Sequence, residues 1–166
     1  MLEQRVQQHF IDSADLKYQA AQALSPSIGA AVQAILACVT NGAKVLACGS
    51  GVSAAQAQQF AAFCVTGFER ERPELAAVPL VSGPFLAHQV RALGQAGDLL
   101  LAITVDGDEG KLLDAVQAAH ERDMTVVLLC GRAGGALAAQ LRETDVQICV
   151  PHDRAARVRE VHALVL

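Results

Sequence analysis

The sequence predicts an α/β protein, a three-layer α/β/α sandwich built around a parallel sheet. Three observations predict it: five short apolar runs recur along the chain, helical patterns separate them, and the first run ends in a glycine-rich turn. Runs that are apolar on both faces are typical of parallel strands covered by helices on both sides. The alternation of strand and helix then predicts crossover connections within one doubly wound sheet.

The composition indicates a single globular domain of 166 residues with a net charge of −4. There is no Trp and one Tyr, and no basic excess, which argues against stacking on or neutralising a nucleic acid. Residues 1–10 lack the apolar core of a signal peptide, and no segment is expected to span a membrane, so we expect a cytoplasmic protein. The five cysteines are odd in number and lie in apolar runs, which favours core packing over disulfides or metal binding.

The chain begins with two predicted helices, residues 2–24 and 28–39, which precede the first strand. Ser25-Pro26-Ser27 is typical of a helix start, and Asn41-Gly42 of a helix end. We expect residues 1–40 to form an oligomerisation element and residues 41–166 the α/β core of the same domain. Two readings of the helices' apolar surface remain open: contact with another subunit, or cover for the flank of the sheet.

The first strand ends in the turn Gly49-Ser50-Gly51-Val52-Ser53. Glycines allow a sharp turn and a close approach of the backbone to a ligand, while Ser53 is suited to cap a helix over residues 54–66. Such a turn can cradle a phosphate at the helix N-terminus, but it also occurs in α/β proteins that bind nothing there.

Four further apolar runs predict the remaining strands, at residues 76–81, 99–104, 125–130 and 146–150. Ligands of such sheets bind at the carboxyl ends of the strands. Those ends carry Gly49 to Ser53, Ser82, Thr104 to Glu109, Gly131 and Pro151-His152. The connection over residues 81–90 is short for a link between a strand and a helix.

Several ordered motifs together resemble sugar isomerase (SIS) domains, and specifically the phosphoheptose isomerase group. They lie at residues 49–53, 58–61, 68–73, 97–103 and 157–162. The resemblance covers nearly the whole chain and implies a five-stranded parallel, flavodoxin-like sheet and a homotetramer. The family pattern has a longer connection between Val81 and Val90, and a final helix that continues past Leu166.

The resemblance also implies which residues would act. These isomerases move a proton between adjacent sugar carbons with a carboxylate and a histidine, and some members bind zinc nearby. The family's aspartate, histidine, catalytic glutamate and glutamine correspond here to Gln56, Gln59, Ala62 and Arg159. We therefore expect no intact catalytic residue, no metal site and no cofactor. His162 matches a less central family histidine and is equally typical of a packed helix residue, while the family's C-terminal catalytic histidine would fall just past Leu166.

The second phosphate-binding loop of the family is rich in hydroxyl groups, whereas residues 104–109 here keep only the hydroxyl of Thr104. Three carboxylates, those of Asp106, Asp108 and Glu109, stand where a phosphate would bind. We expect Asp108 and Glu109 to complement the N-terminus of a helix over residues 110–122, although they could also point to solvent. The candidate ligand-binding residues are Gly49, Ser50, Gly51, Ser53, Thr104 and Asp106.

Within the group, the segments 59–62 and 89–94 resemble the DnaA initiator-associating proteins, which are non-isomerase SIS tetramers that bind the replication initiator. We therefore expect a tetrameric, non-catalytic regulatory module with a vestigial sugar-phosphate cleft, whose partners are itself, the initiator DnaA and a sugar phosphate. Two alternatives remain open: an active sedoheptulose 7-phosphate isomerase, and a domain that senses a sugar phosphate without converting it. Ala62 is the residue that discriminates between the first reading and the isomerase.

Overall fold

The computed structural model describes residues 1–166 and contains one five-stranded parallel sheet. Its strands are β1 Val45–Gly49, β2 Ala77–Pro79, β3 Leu99–Ile103, β4 Thr125–Cys130 and β5 Val146–Cys149. They lie in the order β2-β1-β3-β4-β5 across the sheet. The predicted fold class is confirmed. The edge strand β2 is shorter than the predicted run 76–81, and only β1 supports it.

Six helices cover the sheet: α1 Leu2–Thr40, α2 Val52–Thr66, α3 Leu86–Leu93, α4 Gly110–Glu121, α5 Gly135–Gln140 and α6 Ala155–Val165. Successive residues of a strand point to opposite faces, so the sheet has two apolar cores. One core, which contains Leu101 and Val127, packs under α1, α2 and α6. The other, which contains Leu100 and Leu128, packs under α3, α4 and α5.

The two predicted N-terminal helices are one helix, α1, which continues through Pro26. Proline has no N–H to donate to the preceding turn, so a break was expected there. The neighbouring serines hydrogen-bond the helix backbone instead: Ser25 Oγ donates to Ala21 O at 2.5 Å and Ser27 Oγ to Leu24 O at 3.0 Å. The buried stripe of α1 crosses the proline, since Leu24 and Ala31 both lie in the core. Packing against the sheet therefore overrides the local signal.

The rest of α1 is largely uncovered in the single chain. Leu2, Val6, Phe10 and Tyr18 are large exposed apolar side chains along its N-terminal half. Contrary to the sequence expectation, α1 is long and apolar enough to cross a membrane by length and composition alone. Core helices of globular proteins also meet that criterion, and the buried stripe from Leu16 to Cys38 packs on the sheet.

The order of the strands reverses beside β1, because the chain passes from β1 outward to β2 and then returns to β3 on the other side of β1. In open α/β sheets this switch point leaves a crevice outside the carboxyl ends of the two strands. Here the segments that follow β1 and β3 form its rims. The fold thus places the glycine turn opposite the segment that begins at Thr104.

Candidate active-site crevice

The first rim, Gly49 to Ser53, is shaped by its backbone. A Cβ on Gly49 would lie 2.4 Å from the carbonyl oxygen of Ser53, so only glycine allows the turn to close onto α2. Gly51 has φ of +55°, a left-handed conformation that glycine adopts without strain. The rim is therefore a narrow backbone turn that leads directly into the N-terminus of α2.

Ser53 does not cap that helix, contrary to the sequence expectation. The N-cap position is Gly51, and no side chain hydrogen-bonds to the first turn. Ser53 is already the second helical residue, buried, with its N–H donated to Ser50 O at 3.0 Å. Because no side chain occupies the N-terminus of α2, the helix dipole and its N–H groups remain suited to an anion.

The second rim, Thr104 to Glu109, is shaped by its side chains. The hydroxyl of the buried Thr104 accepts a hydrogen bond from the N–H of Gly107 at 3.1 Å and donates one to Glu109 Oε2 at 2.6 Å. Asp106 forms an ion pair with Arg132 at 2.5 Å. Asp108 Oδ1 accepts a hydrogen bond from the N–H of Ala136 at 2.8 Å. Each of the three carboxylates therefore has a partner within the protein.

Those partners correct the expectation that Asp108 and Glu109 cap the helix that follows them. Glu109 is the N-cap residue of α4, yet its side chain makes no capping hydrogen bond and contacts Thr104 instead. Asp108 binds the start of α5, which is distant in sequence. The local sequence does not identify the partner of Asp108, because only the fold brings Ala136 close to it.

A segment after β4, residues 131–137, braces the second rim. The N–H of Gly131 donates to Val105 O at 3.1 Å, and that of Leu137 donates to Gly107 O at 2.9 Å. The fit is close, because a Cβ on Gly107 would lie 2.0 Å from the carbonyl oxygen of Gly134. Arg132 and Ala133 both adopt positive φ, of 47° and 62°, to make this approach.

The sequence-predicted acid–base positions lie on α2 and α6. Gln59 and Ala62 are exposed on one face of α2, three residues apart. A neutral amide and a methyl group cannot exchange a proton near neutral pH. A zinc ion does not fit these positions either, since Ala62 offers no donor atom and Arg159 carries a positive charge.

A cluster of polar side chains lies between α2, α6 and the end of β4. It includes His162, whose role the sequence leaves open. His162 is fully buried and its Nε2 lies 3.2 Å from Cys130 O, so Nε2 carries the proton and donates it. Gln56 donates its amide to Arg159 O at 3.0 Å. Three buried atoms of this group have no hydrogen-bond partner: Gln56 Oε1, Arg159 Nε and His162 Nδ1.

The pKa of His162 is lowered from 6.5 to about 4. Burial is the largest cause, the hydrogen bond to Cys130 O opposes it, and the nearby charge of Arg159 adds to the lowering. The imidazole is therefore neutral at neutral pH, with an unprotonated Nδ1. The sequence carried a signal for this group in the spacing of Arg159 and His162, which places them one turn apart on α6.

Comparison with known proteins gives a consistent result. The model of the SIS domain family matches residues 8–131. The phosphoheptose isomerase of Methylibium petroleiphilum is 56% identical over 180 residues, covering 100% of this chain and 90% of the relative. That of Dechloromonas aromatica is 42% identical over 98% of this chain and 90% of its own length.

Solved structures agree. Phosphoheptose isomerase from Neisseria gonorrhoeae superimposes with a TM-score of 0.91 at 42% identity, covering 99% of this chain and 94% of that one. A phosphoheptose isomerase from Francisella tularensis gives a TM-score of 0.92 at 36% identity, with the same coverage.

These comparisons overturn the expectation of a non-catalytic, DnaA-associating regulatory module. Relatives at 42–56% identity over essentially the whole chain are named as phosphoheptose isomerases, which are enzymes. The expected association with DNA replication has no support among them. That expectation depends on single substituted positions, such as Gln59, Ala62 and Arg159, whereas the similarity to isomerases extends over the whole chain.

Proposed function

This chain belongs to the SIS domain family, and we propose that it is a phosphoheptose isomerase that interconverts sedoheptulose 7-phosphate and D-glycero-D-manno-heptose 7-phosphate. The observation that carries the proposal is the 56% identity to an isomerase over 100% of the chain. Such an enzyme would supply heptose for lipopolysaccharide synthesis.

The crevice supports binding of a sugar phosphate. The uncapped N-terminus of α2 presents N–H groups and the positive end of the helix dipole, which stabilise an anion. Ser50 and Ser53 add hydroxyl groups on the same rim. We assign the phosphate to the first rim, because the second rim carries three carboxylates.

The reaction moves a proton between C1 and C2 of the sugar, so it needs a group that can accept and return one. Ala62 and Gln59 cannot do this. Two titratable groups can: the carboxylate of Glu109 on the second rim, held on Thr104, and the neutral imidazole of His162, which is buried between α2, α6 and the end of β4 and whose Nδ1 has no hydrogen-bond partner. We propose that one of these two groups transfers the proton.

The test is an assay of the full chain, purified from a host that lacks its own phosphoheptose isomerase, with sedoheptulose 7-phosphate and detection of the aldose by NMR. Turnover well above that of a buffer blank is expected, and none would refute the function. Glu109→Gln and His162→Gln then separate the two groups: the variant of the proton-transfer residue should lose at least ~100-fold in kcat. Unchanged kcat in both variants would refute the assignment while leaving the function intact.

We propose that the enzyme is a cytoplasmic homotetramer assembled through the exposed face of α1. The support is the run of uncovered apolar side chains, including Phe10 at 75%, Val32 at 54% and Leu36 at 50% exposure. Contiguous apolar surface of this kind is typical of subunit interfaces. Light scattering should give four times the mass of one chain, and cell fractionation should recover the protein with the cytoplasm.

Val32→Asp combined with Leu36→Asp should dissociate the assembly, because two charges would be buried without partners. Gln33→Asp, an exposed neighbour on the same helix, is the matched control and should leave the mass unchanged. A wild-type monomer at micromolar concentration would contradict the proposal.

A further inference from the structure

Two cysteines, Cys130 and Cys149, end adjacent strands of the sheet. They are direct partners in the register of β4 and β5. Neighbouring strands lie about 4.8 Å apart, and a disulfide joins Cα atoms about 4.4–6.8 Å apart. The backbones are therefore already at a separation that a disulfide can span.

The two side chains also lie on the same face of the sheet. Cys149 packs against the apolar core that contains Cys130. The amide of Gln147, on the same face of β5, approaches Cys130 Sγ at 3.5 Å. By contrast, the thiol of Cys38 contacts a backbone oxygen, that of Lys44, at 3.3 Å.

Access to the two sulfurs is unequal. Cys130 and Cys48 are fully buried, and Cys38 and Cys64 are nearly so. These four agree with the predicted core role of the cysteines. Cys149 is only half-buried and lines a surface cavity of about 630 Å³ together with Arg132 and His152. A small molecule in solution can therefore reach Cys149 and not Cys130.

We propose that Cys149 and Cys130 form a reversible oxidation site, in which a peroxide oxidises Cys149 and Cys130 then closes a disulfide between β5 and β4. The proposal is independent of the isomerase function. Disulfides of this kind in cytoplasmic proteins are usually transient and redox-sensing.

The chemistry balances with hydrogen peroxide as the oxidant. The sulfur of Cys149, as thiolate, attacks one oxygen, the O–O bond breaks, and Cys149 sulfenic acid and hydroxide result. The sulfur of Cys130 then attacks the sulfenic sulfur; the S–S bond forms, the S–O bond breaks, and the departing hydroxide leaves as water with the thiol proton of Cys130. The two thiols lose two electrons and the peroxide gains them. Burial raises the pKa of the Cys130 thiol to about 12, so Cys130 stays protonated and follows Cys149 in this sequence.

The test treats the reduced, folded full chain with hydrogen peroxide near neutral pH, blocks the remaining thiols by alkylation, and maps the peptides by mass spectrometry. We expect a Cys130–Cys149 linked peptide pair about 2 Da lighter than the reduced pair, which dithiothreitol restores. Cys149→Ser should abolish the link and leave Cys130 as a free thiol. Because Cys149 is half-buried, the serine variant should fold, and Cys149→Ala provides a second version of the same test.

Cys64→Ser, which removes a different buried cysteine, is the matched control and should form the link as the wild type does. Three results would overturn the proposal: Cys149 oxidised to the sulfinic acid while Cys130 remains free, a disulfide that involves another cysteine, or no loss of thiols at a peroxide concentration that oxidises a small thiol.

Discussion

The two rims of the crevice both lie at the carboxyl ends of strands, but different parts of the chain hold them in shape. The rim after β1, Gly49 to Ser53, depends on backbone that only glycine can form, and no side chain caps the helix that follows. The rim after β3, Thr104 to Glu109, depends on side chains that bind one another and on a second segment that braces it. A rim built from backbone keeps its anion-binding groups free, whereas a rim built from side chains uses its own groups internally. We therefore expect substrate phosphate to bind the first rim.

The largest effect should follow from breaking the contact between the second rim and its brace. Gly107→Ala places a Cβ 2.0 Å from Gly134 O at a φ of +82°, so we expect the free energy of unfolding to fall by about 3 kcal/mol. Denaturant unfolding measures it. Gly110→Ala is the matched control, since nothing lies within 4 Å of its Cβ position. That variant should be neutral or slightly stabilising, and an equal loss in both variants would mean that the close contact does not limit stability.

The next effect concerns His162, which anchors the end of β4 from which the brace departs. Its pKa is lowered from 6.5 to about 4. Between these values the unfolded chain binds a proton that the folded protein does not, so this group's contribution to stability is complete above about pH 6.5 and is lost as the pH falls toward 4. The loss should approach ~3 kcal/mol, with a slope of at most about 1.4 kcal/mol per pH unit.

The measurement is the unfolding free energy from about pH 7 to about pH 4. His162→Gln keeps a donor for Cys130 O and removes the titration, so the variant should be less sensitive to acid than the wild type by that amount. His88→Gln, an exposed histidine on α3, should leave the pH dependence unchanged. Parallel curves for the wild type and His162→Gln would show that the pKa of the imidazole is the same in the folded and the unfolded chain.

A smaller effect tests the idea that charge on the second rim weakens phosphate binding. Glu109→Gln keeps an acceptor for the Thr104 hydroxyl and removes one negative charge, so affinity for inorganic phosphate should rise about tenfold, or ~1.4 kcal/mol. Calorimetry on both proteins measures it. Asp114→Asn removes an exposed charge from the same helix, α4, and should change the affinity less than about twofold. No gain in Glu109→Gln would mean that its carboxylate is directed away from the bound anion.

These rims also show how far the sequence predicts the structure. The strands and the glycine turn follow from local signals, because apolar runs such as Leu99–Ile103 can be buried in few other ways. The partners of Asp108 and Arg132 do not follow, since each lies more than twenty residues away along the chain. The continuous helix through Pro26 does not follow from local signals either, because packing of α1 against the sheet supports it.

The wrong functional prediction came from the identities of a few residues on α2. Ala62 and Gln59 cannot transfer a proton, and that chemical statement still holds. It does not follow that the chain is inactive, because other residues that can accept a proton, such as Glu109 and His162, lie elsewhere in the fold. The pKa of His162 is lowered because the side chain is buried beside Arg159. This tertiary environment is not visible in a sequence.

The smallest effect should come from the ion pair between Arg132 and Asp106, which links the second rim to its brace. Both side chains are about half exposed, at 47% and 48%, so water and salt screen the pair. A double-mutant cycle with Arg132→Ala and Asp106→Ala should give a coupling of about 0.5 kcal/mol, which falls further in about 1 M salt. In that case the backbone hydrogen bonds of Gly131 and Leu137, rather than the ion pair, would hold residues 131–137 against the second rim. Both rims would then depend mainly on backbone. A coupling above ~2 kcal/mol would instead assign the shape of the second rim to this pair, and the contrast between the rims would stand in full.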